Sequence, residues 1–471
     1  MKNPDPIPTA AGALPLLGHL VPLLRDPLKF LGRLPERGDL VRVRLGPLPV
    51  LVVCDPDLTC RALREDRTFD KGGPVYDRGR ELIGNGLASC PHRDHRRQRR
   101  LLQPAFHPTR LPGYAQAATA RTAEATASWQ DGQVLDVLSA MQELFASITV
   151  DTLFSTTPPP DVLTQALADL NTVVKALTVR TATPQLLNRL PIPRNRRYHQ
   201  ARARLSRTLH HIVTERRATG TSTDHGDLLS ILLAAHDPDS GPAEQTLTDA
   251  EIIDQIVTFF LAATETSASS VAWALHLLGQ HPEIETRLHA EADAVLDGRP
   301  ATHADLPRLE LTTRVFTETL RLWPPVWGLT RTCTADTRLG RYPIPTGTSL
   351  AYSPYLLHRR PDLYPDPDRF DPDRWAPDHP SPPRREAFLP FGGGARKCIG
   401  ERSAINTGVL ALATIASRWH LQPLPGARVR PVIGGPTLHP SGLRMRTIAR
   451  TTPRTGARRT GSSGSGGLNA G

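Results

Sequence analysis

The stretch DLVRVRLGPLPVLVVCD (39–55) alternates apolar and polar residues and then runs apolar. A period of two, interrupted at Gly46-Pro47, predicts a β-hairpin with its turn at that pair. From about residue 56 to 335 the spacing is mostly helical. Breaks at TTPPPD (156–161) and LPIPRN (190–195) separate the helices, with loops at ATGTSTDHGD (218–227) and HDPDSGPAEQ (236–245). One predicted helix, within 246–282, is long. Thr248 and Glu251 form a capping box at its start, and Gly279 and Pro282 mark its stop. About 30 residues at 1.5 Å each span roughly 45 Å. Its segment IVTFFLAA (256–263) is apolar on all sides, which places it in the middle of the molecule.

Beyond residue 335 the pattern changes. RLGRYPIPTGTSLAYSPY (338–355) reads as short strands and turns. HRRPDLYPDPDRFDPDRW (358–375) is too rich in Pro and Asp for helix or sheet. So long an irregular stretch is uncommon in a compact domain unless function holds it there. CIGERSAINTGVLALATIASRW (398–419) returns to helical spacing, with a cysteine at its start. The pattern predicts a mainly α chain with small β-sheets.

A length of 471 residues suggests roughly three domains as a soft prior, yet no interior linker divides the chain. We therefore expect one domain over 1–450 and a disordered Gly/Ser-rich tail over 451–471. The net charge is +11, with basic clusters at HRDHRRQRR (92–100) and PRNRRYHQARAR (193–204). Solvated helix faces explain such clusters better than a nucleic-acid partner, because no nucleic-acid motif accompanies them. Five cysteines, an odd number without a CxxC pair, argue against a disulfide framework and a structural zinc site. They suit a reducing compartment. No run of about 18 uninterrupted apolar residues and no signal pattern occur, so a soluble, cytoplasmic monomer without a membrane span is expected.

The candidate chemistry lies in FGGGARKCIG (391–400). A Walker loop fails because Lys397 is followed by cysteine, and a dinucleotide fingerprint fails on spacing. A lone cysteine at a helix start, beside Arg396 and Lys397, should have a lowered thiol pKa. Such a thiolate serves as a nucleophile or a metal ligand. The glycines let backbone approach something flat or bulky. An inert buried cysteine is the plain alternative for an isolated residue.

FGGGARKCIG resembles the haem-binding loop of the cytochrome P450 family, F-x-x-G-x-R-x-C-x-G, at all five fixed positions. The resemblance implies a single P450 fold, with a long central helix over haem b. It implies Cys398 as axial thiolate ligand of the iron, Phe391 packed beside the sulfur, and Arg396 paired with a haem propionate. ETLR (318–321) resembles the family's E-x-x-R, and PDRF (367–370) follows where the family supplies a second arginine. Glu318, Arg321 and Arg369 are thus expected to form a buried structural network. An ordinary surface ion pair is the alternative. His95 and Arg99 in HRRQR (95–99), and Arg331 in LTRTC, match further family positions for the propionates.

AATET (262–266) resembles the family's Ala/Gly-Gly-x-Asp/Glu-Thr, with Ala263 where Gly is usual. By that resemblance Thr266 steers protons to bound O2 and Glu265 helps deliver them. A bond from the Thr266 hydroxyl back to the Ala262 carbonyl is the purely structural reading, and family members use that same distortion. Phe259, Ala262, Ala263, Thr266, Val326, Trp327 and Leu329 are expected to line an apolar pocket. HRRQRRLLQPAFH, LRLWPPVWGLTR and TFDKGGPVYDR are similar to segments of actinobacterial terpenoid oxygenases of the pentalenene-oxygenase type.

The resemblance, which runs from about residue 15 to 447, implies a monooxygenase using O2 and electrons from NAD(P)H. No flavin or iron–sulfur segment is present, so a ferredoxin and a ferredoxin reductase are the implied partners. Arg96, Arg97 and Arg100 are expected to help dock the ferredoxin. A polyketide or fatty-acid-like substrate, or a non-oxygenating haem-thiolate sensor or isomerase, is the competing expectation.

Overall fold

The computed structural model describes residues 7–154, individual helical residues between 162 and 180, and 185–218, 225–238, 241, 245–434 and 437–450. The break at 156–161, parts of the loops after 218 and 238, and the tail 451–471 lie outside the described residues.

The long helix runs Asp249–Gln280. The capping box predicted at its start is present: Glu251 N–H donates to Thr248 Oγ1 at 3.2 Å, and Thr248 N–H donates to Glu251 Oε2 at 2.9 Å. Its end is fixed by Pro282, which opens the next helix, Pro282–Leu296. The N-terminal half packs with Leu205, Leu209 and Val213 of helix Pro193–Ala218 and with the apolar helix Leu228–Ala234. The C-terminal half packs with helices Val137–Leu153, Glu310–Leu322 and Glu401–Arg418 in the largest core cluster. Gly408 permits the close approach of the last two, since a Cβ there would lie 2.3 Å from Phe316 Cζ. Between the two cores, Ala262 and Ala263 are exposed in the middle of an otherwise buried helix. The expectation that 256–263 is buried on all sides therefore fails at its last two residues.

Twelve strands form small sheets among the described residues. The predicted hairpin is β1 (Leu40–Leu45) with β2 (Leu48–Val53), antiparallel from Leu40↔Val53 to Leu45↔Leu48. It extends through β8 (Ser349–Tyr352) and β5 (Leu329–Cys333) to β3 (Phe69–Asp70) in one five-stranded sheet. β4 (Val134–Asp136), β12 (Arg444–Ala449) and β9 (Trp419–Pro423) form a second sheet. Two hairpins complete the set: β6 (Thr337–Leu339) with β7 (Tyr342–Ile344), and β10 (Arg430–Gly434) with β11 (Thr437–Ser441). Among the described residues, no helix is long and apolar enough to cross a membrane. All five cysteines are free thiols.

Candidate active site

Gly392 and Gly394 adopt φ of 69° and 65°, and a Cβ on Gly394 would lie 2.0 Å from the Leu63 carbonyl oxygen. Only glycine fits there. The loop closes with Cys398 N–H donating to Phe391 O at 3.0 Å, and Phe391 itself packs against the main core. The following helix begins at Glu401 with Gly400 as N-cap. Cys398 thus precedes the helix by a turn rather than starting it, because the loop conformation extends past the sulfur.

The basic neighbours behave differently from expectation. Lys397 Nζ pairs with Glu401 at 2.5 Å, and Arg396 turns to Asp66, Asp70 and the Cys90 carbonyl. Burial instead pushes the Cys398 thiol above its ordinary value, opposed by a Gly400 N–H bond and the charges of Arg99 and Lys71. The residue keeps accessible surface although protein closely surrounds its thiol. A metal cation at the sulfur is what would hold this thiol deprotonated.

Around the loop, nitrogen-bearing side chains converge, neutral in His95 and charged in Arg331. His95, on helix His92–Leu102, is 2% exposed and its Nδ1 has no partner among the described residues. Burial, then the charges of Arg396, Lys71 and Arg99, push its pKa down to about 3. Arg331 of β5 is 3% exposed with an unpartnered Nε; its Nη1 donates to Thr330 O at 2.8 Å and to Tyr76 Oη at 3.4 Å. Orphaned buried polar atoms are rare and call for a partner. Lys71, not singled out from the sequence, has its pKa pushed down to about 7 by burial and by Arg331 and Arg396. Only its place in TFDKGG, just after β3, hinted at it.

A dianionic haem fits His95, Arg331 and Lys71. Two other expected partners are engaged elsewhere. Arg396 already faces two carboxylates, at 2.8 and 3.3 Å. Arg99 Nη1 donates to Lys397 O at 2.5 Å and lies 3.5 Å from Ala395 O, which steadies the cysteine loop.

The E-x-x-R pair is fully buried. Arg321 donates to Glu318 through Nε at 2.8 Å and Nη2 at 2.7 Å. The second arginine is Arg374, 3.5 Å from Glu318, not Arg369. Arg369 is exposed and contributes only its carbonyl, which accepts from Arg321 at 3.0 Å. The segment repeats DPDR in DPDRF-DPDRW, and the structure uses the second copy. Trp375 Nε1 and Asp371 N–H also donate to Glu318, at 2.8 and 3.1 Å. The irregular segment is therefore pinned by three of its own groups converging on one carboxylate, and by Arg321 donating to its Pro367 and Arg369 carbonyls.

On the long helix, Thr266 Oγ1 donates to Ala262 O at 2.6 Å. Glu265 faces Thr437 of β11, Oε2 to Oγ1 3.3 Å, and burial raises its pKa. Ala262 and Ala263 are exposed, and Thr266, Val326, Trp327 and Leu329 are half-buried. Phe259 instead is buried against Phe106, ring centroids 5.5 Å apart. Of the three arginines assigned to ferredoxin docking, Arg97 bonds Glu251 at 2.5 Å and Arg100 bonds Asp237 at 2.6 Å. Both lock the His95 helix to its neighbours; Arg96 is exposed.

The chain matches the family model described as Cytochrome P450 over residues 8–445. It is 46% identical to a cyclooctat-9-en-7-ol 5-monooxygenase of Streptomyces melanosporofaciens, covering 89% of this chain and 90% of that protein. It is 44% identical to a pentalenene oxygenase of Streptomyces avermitilis, covering 94% and 97%. The crystal structure of the cytochrome P450DA heme domain superposes with a TM-score of 0.85 at 27% identity, covering 96% of this chain and 99% of that one. The thiol of Cys398, the convergent His95, Arg331 and Lys71 and these likenesses agree: the chain belongs to the cytochrome P450 family and is a haem-thiolate monooxygenase.

Proposed function

We propose that the protein hydroxylates an unactivated C–H bond of a cyclic terpenoid, with electrons from NAD(P)H relayed by a ferredoxin reductase and a ferredoxin. The observation that carries this reading is the 44–46% identity, over nearly the whole chain, to proteins named for oxidising cyclooctat-9-en-7-ol and pentalenene. The accessible Ala262 and Ala263 and the half-buried Val326, Trp327 and Leu329 would supply the apolar wall such a substrate needs.

Cys398 would hold the iron, with His95, Arg331 and Lys71 facing the acid groups. Bound there, haem b activates O2 for insertion of one oxygen atom into a C–H bond. The protein's own groups do the rest. Arg99 and Arg396 hold the cysteine loop through carbonyls and carboxylates. Thr266 bonds its hydroxyl back to Ala262 O, so that carbonyl is shared between backbone and side chain at the middle of the helix. Glu265 supplies protons from a buried carboxyl. Exposed Arg96, with exposed Arg93, offers the positive surface for an acidic electron carrier.

The test is incubation of the purified protein with cyclic terpene hydrocarbons, ferredoxin, reductase, NAD(P)H and labelled O2. An oxygenated terpenoid carrying one labelled atom is expected. Turnover of only polyketide or fatty-acid-like substrates would overturn the terpenoid assignment. Reduction that does not slow with salt would overturn the ferredoxin docking.

A further inference from the structure

Glu265, Ser269 and Trp273 lie one turn apart on a single face of the long helix, and all three reach β11. Ser269 Oγ donates to Leu438 O at 2.7 Å, and Trp273 Nε1 donates to the same oxygen at 3.3 Å. From the other side, Leu438 N–H donates to Pro325 O at 2.8 Å. The strand is pinned at Leu438, so the preceding residue is held against Glu265. That residue, Thr437, is 5% exposed. Its Oγ1 lies 3.3 Å from Glu265 Oε2 and 3.1 Å from Gly434 O.

A threonine hydroxyl carries one proton, and a carbonyl only accepts. With an ionised Glu265, one of these two contacts would be acceptor against acceptor. Both are full two-centre hydrogen bonds at once only if Glu265 brings the second proton; otherwise a single hydroxyl proton is shared between two acceptors. The neutral carboxyl then donates to Thr437 Oγ1, and Thr437 O–H donates to Gly434 O. Burial also favours the neutral acid, and outweighs a Thr437 O–H that would lower the pKa if it pointed at the carboxylate. Thr266 does not compete for this carboxyl, because its hydroxyl is bonded to Ala262 O.

We propose that Thr437 is a positioning residue that holds Glu265 as a neutral acid, so that Glu265 stores a proton for the oxygen-reducing site. The proposal rests on the reading of Glu265 as proton donor in the monooxygenase. Its proton balance closes. The carboxyl O–H bond breaks, and the proton goes to the oxygen being reduced in the established reaction. Thr437 then rotates its O–H from Gly434 O to the carboxylate. A proton from solvent restores the resting arrangement.

The experiment is infrared titration of the protonated-carboxyl band in the purified, haem-loaded protein, with Glu265→Gln assigning the band. At pH 7 the wild type should show a Glu265 band that Glu265→Gln lacks. Thr437→Val removes the acceptor and should lower the titration midpoint by roughly half to one pH unit. Thr437→Ser should restore it. Should the valine variant not fold, Thr437→Ala reads the same shift. No Glu265 band at pH 7, an unchanged midpoint in the valine variant, or a midpoint that rises would overturn the proposal. A rise would make Thr437 a donor to a carboxylate instead. The thiolate Soret band of the same sample reports separately on the monooxygenase reading.

Discussion

Replacing Arg374 by Ala should destabilise the protein far more than replacing Arg369, although both sit in a DPDR tetrapeptide. Arg374 is 4% exposed and lies 3.5 Å from Glu318, which is fully buried. At an effective dielectric of about 20, that contact is worth roughly 4–5 kcal/mol before the cost of desolvating the arginine. Removing one partner of a buried pair typically costs about 3–5 kcal/mol. Arg321 still compensates Glu318 through two bonds, so a loss of about 2–3 kcal/mol is expected. Arg369 offers only a carbonyl, which any residue supplies, and Arg369→Ala should stay within about 0.5 kcal/mol. Glu318→Ala should exceed both, because it strands Arg321 and Arg374 in the core. Urea unfolding of the three variants, followed by circular dichroism, measures this order. Equal losses for Arg369→Ala and Arg374→Ala would refute the network as described.

His358 should make stability pH-dependent. Its Nδ1 lies 3.1 Å from Arg321 O and its Nε2 accepts from Leu389 N–H at 2.9 Å, so only the neutral ring fits. Burial, then Arg321, push its pKa from 6.5 down to about 3. The folded ring stays neutral while the unfolded one protonates, so its contribution is intact above pH 6.5. It falls by about 1.4 kcal/mol per pH unit between 6.5 and 3. His358→Asn should flatten the measured slope by that amount, and an unchanged slope would count against it. Gly84→Ala should cost more than Gly12→Ala in thermal unfolding. Both have φ near 80–87°, but only at Gly84 would a Cβ meet Asp254 Oδ1, at 1.9 Å. Equal costs would mean the loop yields freely.

Features set by local chemistry were legible in the sequence. The Gly46-Pro47 turn, the Thr248–Glu251 capping box and the stop at Pro282 each depend on residues a few positions apart. The cysteine loop was legible through its fixed pattern, and the positive φ of Gly392 and Gly394 is a local demand that glycine meets, whereas the close approach of Gly394 to Leu63 is not local. What local spacing did not reveal depended on distant partners. Asp66 and Asp70, more than 300 residues from Arg396, claim its guanidinium. Asp237 and Glu251 claim Arg100 and Arg97. The tandem DPDR copies are equivalent by composition, and only the three-dimensional path of the segment selects Arg374 over Arg369. The lowered thiol pKa inferred from basic neighbours gave way to burial, which no local spacing reveals.

Cys398 as the iron's thiolate ligand underlies every step of the proposed chemistry. The reduced, CO-bound absorption spectrum of the purified protein tests it most directly. A thiolate-type Soret band is predicted for the wild type, lost in Cys398→Ser with the helical circular dichroism retained. A wild type without that band, or a Cys398→Ser protein that keeps it, would contradict the account.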